Sequence, residues 1–199
     1  MLVLASASPR RQEILRNAGL RFVVHPTDIP EVPHPGEAPR AFAERMAREK
    51  ALAVFRQRPN DTILGADTVV TVEQQILGKP ADQADAARML RLLSGRSHTV
   101  ITAVCLISAQ PKTGNSKLET CFEDVRSEAT RVTMEPLSDD DIRSYAATDE
   151  PMDKAGAYAI QGRASKFIER IEGCYFNVMG LPVALVYRHL RNECLPPIP

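Results

Sequence analysis

Leu2-Val-Leu-Ala-Ser-Ala-Ser-Pro-Arg-Arg-Gln-Glu-Ile-Leu-Arg-Asn-Ala-Gly-Leu20 begins as an apolar run, passes through small residues and becomes amphipathic. The pattern predicts a strand over Leu2–Ala5, a turn, and a helix over Pro9–Ala18. Ser8 suits the N-cap. Pro9 suits the first helical position, where its missing N–H would have found no partner in any case. Ile14, Leu15 and Ala18 share one apolar face, and Gly19 is a natural stop. The start of this helix therefore carries Ser6, Ser8, Arg10 and Arg11. Unpaired helix N–H groups, the positive end of the helix dipole and two guanidinium forks make it a candidate anion site, with phosphate the natural ligand. Two arginines decorating a surface helix would read the same way.

Working outward, strand and helix patterns alternate, which argues for an α/β or α+β fold. Phe22–Val24 reads as a short strand. The proline-dense stretch 27–36 reads as a rigid loop that either spaces two elements or holds a functional residue. Pro39–Gln57 reads as a long helix with Ala43, Ala47, Lys50 and Val54 on one stripe. Lys50 at the edge of that stripe either snorkels to water or reaches a charged partner. Thr62–Ala66 is a buried-type strand ending at Asp67, and Thr68–Val72 continues it as extended chain. A turn over Glu73–Gln75 leads back into Ile76-Leu77, followed by a helix over Ala84–Leu93 that Gly95 ends. His98–Ser108 and Lys117–Met134 read as strands around a hairpin loop at Pro111–Ser116. Ser138 and Asp141 form a capping box that opens a helix through Ala147. The last helix starts at Pro182, with Val183, Val186, Tyr187, Leu190 and Cys194 as its apolar face.

The chain has 199 residues, enough for one domain with a sizeable core. Its 25 basic and 25 acidic residues cancel. Zero net charge and only six Phe and four Tyr disfavour stable nucleic-acid binding, which needs excess positive charge or stacking platforms. Cys105, Cys121, Cys174 and Cys194 show no C-x-x-C pair and no zinc spacing, as expected of reduced thiols in a cytoplasmic protein. No signal peptide is expected. The longest apolar stretch, Val100–Ile107, is far too short to span a bilayer.

Three further constellations carry chemistry. Gly65-Ala-Asp-Thr68 puts a carboxylate beyond an apolar strand, among residues small enough to admit a ligand; it reads equally as a turn residue. Gly78-Lys-Pro80 holds Lys79 in a turn suited to a polyphosphate or to nothing at all. Asp153-Lys-Ala-Gly-Ala-Tyr-Ala-Ile-Gln-Gly162 offers Gln161, both donor and acceptor, to a nucleobase edge; its bland reading is a tight turn and a buried strand. Gly173–Pro182, with Asn177, reads mainly as packing. No P-loop or dinucleotide fingerprint is present.

The order of these blocks resembles the Maf family along nearly the whole chain. The matching residues are Ser6-x-Ser-Pro-Arg-Arg11, Glu31, Lys50, Gly65-Ala-Asp-Thr68, Gly78-Lys-Pro80, the 153–162 block and Asn177-Val-x-Gly-Leu-Pro182. The 153–162 block is similar to the subgroup acting on dTTP and UTP. The resemblance implies a single domain over 1–199, an α/β fold with a mixed, strongly twisted sheet flanked by helices, and a central substrate cleft. It implies a nucleoside triphosphate pyrophosphatase, with modified pyrimidine nucleotides as a wider substrate range. Asp67 would act as proton acceptor, with Glu31, Lys50 and Lys79 completing the catalytic set. Ser6, Ser8, Arg10 and Arg11 would hold phosphate. Arg10, Thr68 and Gln161 would set base preference. Glu31 and Asp67 would hold a divalent cation, Mg or Mn. A homodimer with no membrane partner is expected. The chain departs from the family pattern at Cys174, Phe176, Arg163–Lys166, Glu128-Ala-Thr130 and the long 109–125 region. The competing reading is a nucleotide sensor without turnover, acting in division control.

Overall fold

Helix starts in this chain are set by side chains that satisfy the first N–H groups. The computed structural model describes residues 1–109 and 121–192. Strand β1 (Leu2–Leu4) leads through the Ser6–Ser8 turn into helix α1 (Pro9–Asn17), where the Ser8 hydroxyl accepts from Arg11 N–H. Gly19 ends α1 at φ +72°, and Leu20 N–H bonds back to Leu15 C=O at 3.0 Å. Strand β2 (Val23–Val24) follows, then the proline loop, then helix α2 (Pro39–Phe55).

Strand β3 (Thr62–Val72) is one unbroken strand through Asp67. It reverses into β4 (Gln75–Leu77) through Glu73 and Gln74, whose φ values of 50° and 68° match the twist of a two-residue hairpin. Helix α3 (Gln83–Leu93) starts on Asp82, whose carboxylate accepts from Asp85 N–H at 2.8 Å. Strands β5 (Ser97–Ala109) and β6 (Cys121–Met134) are long. Helix α4 (Asp139–Ala146) carries the expected capping box of Ser138 and Asp141. Strand β7 (Ile168–Glu172), short helix α5 (Tyr175–Met179) and helix α6 (Val183–Asn192) complete the described chain.

Among the described residues seven strands form one mixed sheet in the order β2-β1-β3-β5-β6-β7, with β4 paired to β3. β1 runs parallel to β2 and β3; β4 is antiparallel to β3, and β7 to β6. Two compact units divide the described chain. The first comprises Met1–Asp67, the segment from Ala103 to Ser127 and the chain from Gly180; the second comprises Thr68–Thr102 and Glu128–Met179. In the first unit α2 lies directly on β3: a Cβ at Gly65 would sit 2.2 Å from Ala47 O. In the second, Leu77, Leu90, Leu93, Met134, Ile142 and Phe167 are among the buried core.

Three expectations change. The 153–162 segment holds no strand: it is turns with a short 3₁₀ stretch at Ala155–Ala157, and Gly156 sits at φ +70° against Val70. The apolar face predicted for α6 included Tyr187, which is 50% exposed, whereas His189 is buried with Val186 and Leu190. A hydropathy pattern favours the larger apolar residue; packing here buries the i, i+3, i+4 face of Val186, His189 and Leu190 and leaves Tyr187 on the other side. Strand β7 and helix α5 were not foreseen. The 111–116 loop and Cys194 lie outside the described residues, as does the Cys121 side chain; Cys105 and Cys174 are free thiols. No described helix is long and apolar enough to cross a membrane.

Candidate active site

Ala43, Ala47, Lys50 and Val54 are all buried on α2, so the helical period draws the lysine into the interior with its apolar neighbours. A buried ammonium needs partners. Lys50 Nζ donates to Asp67 Oδ1 at 2.6 Å and to Glu31 Oε1 at 2.5 Å. The lysine therefore does not snorkel; it bridges a carboxylate on β3 to one on the proline loop.

Asp67 is only 5% exposed. Burial pushes its pKa above the ordinary aspartate value, and Glu31 pushes the same way; Lys50 and Arg11 pull it down without cancelling the rise. The result is a carboxylate more basic than usual yet held beside two cations. Such a group can accept a proton from water.

Arg11 is buried on the inner side of α1. Its Nε donates to Gly180 O at 2.8 Å, and one terminal nitrogen donates to Ser6 Oγ at 3.1 Å and to Ala66 O at 2.9 Å. Ser6 Oγ also accepts from Ser8 N–H at 3.2 Å. The guanidinium thus clasps the residue before Asp67 to the start of α1 and the approach to α6. Burial lowers its pKa, opposed by the nearby charges of Asp67 and Glu31. Arg10 and Ser8 are half-buried beside it. The first unit thus brings Ser6, Arg11, Glu31, Lys50 and Asp67 together.

The loop bearing Glu31 has a second anchor that sequence reasoning missed. Arg45, one and a half turns before Lys50 on α2, binds both oxygens of Glu37 at 2.7 Å and donates to Val32 O at 3.0 Å. That pairing holds the Glu37 carboxyl down at about 2. A signal was available: Arg45 and Lys50 are the basic residues of α2 that fall on the loop's side, and a Pro-rich loop without elements of its own must be tied down by side chains.

The second unit carries Thr68, Lys79 and Gln161. Lys79 and Gln161 are exposed, and Thr68 is half-buried. Gln161 belongs to a turn fixed by Glu150, which accepts from Tyr145 O–H at 2.8 Å and Arg163 N–H at 3.1 Å. Thr68 Oγ lies 3.0 Å from Thr102 Oγ. Behind it, Asn177 is fully buried and bonds to Val100, Thr102 and Thr130. Asn177 was expected to serve packing, and it does so as the polar hub of this unit.

Among the described residues no three His, Cys, Asp or Glu gather into a metal cage. Glu31 and Asp67 supply hard carboxylate oxygens from two elements. That donor set fits a divalent ion that keeps several waters and takes further oxygens from a phosphorylated ligand, the habit of Mg²⁺.

A family model described as Maf-like protein matches residues 1–193. The chain is 52% identical over 191 residues to a dTTP/UTP pyrophosphatase of Koribacter versatilis, covering 96% of this chain and 93% of that protein. It is 50% identical over 191 residues to a dTTP/UTP pyrophosphatase of Geobacter sulfurreducens, covering 96% and 95%. Among solved structures, the Ham1 protein of Staphylococcus aureus shares the fold at a TM-score of 0.52 with 14% identity, covering 96% of this chain and 98% of that one.

Proposed function

This chain belongs to the Maf family, and on that premise we propose that it is a nucleoside triphosphate pyrophosphatase acting on dTTP and UTP. The observation that carries the reading is the buried Asp67 carboxylate, raised in basicity and bridged through Lys50 to Glu31. A protein that only senses a nucleotide needs no such base. Near-full-length relatives at about half identity named dTTP/UTP pyrophosphatase support the substrate assignment.

In the reaction, water attacks the α-phosphorus, the α–β anhydride bond breaks, and pyrophosphate leaves with the bridging oxygen. Asp67 takes a proton from the attacking water. Lys50 holds Asp67 ionised and oriented, since its ammonium sits on one oxygen and leaves the carboxylate's other oxygen for the proton. Arg11 adds positive charge beside the reacting region while fixing the backbone at Ala66. Ser6, Ser8, Arg10 and Lys79 are assigned to the phosphates, and Arg10, Thr68 and Gln161 to the base. A divalent cation held by Glu31 and Asp67 would supply neutralisation of the triphosphate charge.

The test is turnover with Mg²⁺ over a panel of canonical and modified triphosphates, resolving monophosphate from diphosphate products. UMP or dTMP with pyrophosphate, lost in Asp67→Asn, is the expected result. Tight nucleotide binding with no product from any triphosphate would overturn the enzyme reading and favour a sensor. Release of orthophosphate and a diphosphate would overturn the site of bond cleavage.

A further inference from the structure

We propose that Arg45 and Glu37 are positioning residues for the reaction: their ion pair straps the proline loop to α2, so that Glu31 already stands at Lys50 before any ligand arrives. The proposal rests on the reading above that Glu31 and Asp67 meet a cation-bound triphosphate; what it adds is the pair that puts Glu31 there.

The stretch 25–38 needs such a strap. Its backbone is tied near both ends, where His25 N–H donates to Leu4 O and Glu37 N–H donates to His34 O, each at 3.0 Å. Between them Pro26, Pro30, Pro33 and Pro35 have no N–H to offer. Glu31 lies in the middle of this stretch, its side chain 40% exposed. A carboxylate that exposed gains little from pairing against water, so Lys50 alone is a weak hold on the loop.

The stronger hold is Arg45. Its Nε and one terminal nitrogen bond the two oxygens of Glu37 at 2.7 Å, and the same terminal nitrogen donates to Val32 O, one residue after Glu31, at 3.0 Å. The other terminal nitrogen donates to Glu49 Oε1 at 3.1 Å, and the guanidinium carbon lies 5.4 Å from the centre of the Phe42 ring. Glu49 and Phe42 belong to α2 as well, so the fork is aimed from its own helix. Glu37 is fixed from its side too: Gly36, at φ +74°, turns the chain so that Glu37 Oε2 accepts from His34 N–H at 2.9 Å. The Glu37 side chain is 11% exposed, far less than that of Glu31. A bidentate pair sheltered in this way holds geometry as well as charge. Arg45 and Lys50 stand about 7.5 Å apart along the helix axis. Two carboxylates of one loop therefore meet two cations of one helix, and fixing the outer pair sets the inner one.

Without the strap the loop samples arrangements in which Glu31 is away from Lys50. A cation that needs Glu31 then binds more weakly by the fraction of molecules that hold it in place, and excess cation draws the loop back. The mark of positioning is thus a shifted cation requirement.

The experiment compares wild type with Arg45→Gln, Glu37→Gln, the double variant and Arg45→Lys. It reads the Mg²⁺ concentration for half-maximal UTP turnover and, on the protein without metal or nucleotide, amide hydrogen exchange over residues 31–37. In each Gln variant the Mg²⁺ midpoint should rise about tenfold, the shift produced when the ordered loop falls to a tenth of the molecules. At saturating Mg²⁺ kcat should stay near wild type. Exchange over 31–37 should quicken while β3 stays protected. The double variant should match the single ones, because both break the same pair. Arg45→Lys, which cannot grip both oxygens and Val32 O together, should fall between. Glu37→Gln alters only the loop, so it decides the matter should Arg45→Gln fail to fold. An unchanged Mg²⁺ midpoint in the Gln variants would overturn the inference. So would an equal fall in kcat at every Mg²⁺ concentration together with a lower melting temperature. Either result leaves the pyrophosphatase reading intact. Absence of triphosphate turnover in wild type would overturn both.

Discussion

Asp67 and Lys50 depend on each other more than either depends on its own element. Replacing Asp67 by Asn keeps the shape and a contact to Lys50 but removes the base, so turnover should fall about 10²–10⁴-fold, the usual contribution of general-base catalysis. Nucleotide binding, measured by calorimetry, should persist. Lys50→Ala leaves the buried Asp67 carboxylate without its bridge to α2. Stripping one partner from a buried pair costs about 3–5 kcal/mol, so urea unfolding should show that loss together with lost activity. The pH profile has a definite sign. Asp67 works ionised, and burial raises its pKa above the ordinary aspartate value. The acid limb of kcat/KM should therefore lie above the ordinary aspartate range, and Asp67→Asn should abolish it. Each of these residues stood out in the sequence by type and spacing. What could not be read there was the pairing: the stripe on α2 allowed either a snorkelling lysine or a bridging one, and only the fold brings Glu31 within 2.5 Å.

At the scale of elements, α2 on β3 is the packing that sets Asp67. Gly65 lets the helix approach until a Cβ would lie 2.2 Å from Ala47 O and 2.8 Å from Ala51 Cβ. Backbone cannot yield as a side-chain tip can. Gly65→Ala should force helix and strand apart, costing about 1–3 kcal/mol or more as overpacking does. The measurement is thermal unfolding beside activity, and activity should fall further than stability, because Lys50 and Asp67 sit on the two separated elements. An unchanged melting temperature would refute this account of the glycine. Caps and turns were legible locally: Ser8, Gly19 and the Ser138–Asp141 box act as their chemistry requires. Strand β7 was not legible, because Ile168-Glu-Arg-Ile-Glu172 has weak alternation and gains its state from pairing with β6. The tie from Arg45 to the Glu31 loop was half legible: a Pro-rich loop beside a basic helix needs an anchor, but the sequence did not show that Glu37 would be the carboxylate bound.

For the molecule as a whole, pH should act on stability through a residue outside the proposed chemistry. His98 is buried in the second unit, with Nε2 2.7 Å from Tyr158 O–H, and burial drops its pKa from 6.5 to about 4. The folded protein keeps His98 neutral while the unfolded chain takes a proton below 6.5. Between those values the unfolded state binds more protons, so stability declines as pH falls through the window, by up to about 3 kcal/mol. Urea midpoints at pH 7 and pH 5 should show the decline, and His98→Gln should flatten it; an equal slope in both proteins would refute the assignment.

The sequence by itself determined the alternation of strands and helices, the helix caps, the neutral charge balance and the residue types of the site, because hydrophobic period and capping chemistry are local properties. It also carried the family resemblance, which lies in the order of short blocks. Tertiary structure alone decided that Arg11 clasps backbone, that Lys50 joins two carboxylates, and that a hydroxyl chain runs from Asn177 to Thr68. Those bonds join residues up to 169 positions apart. Their geometry is set by how sheet and helices pack, and no local pattern encodes it.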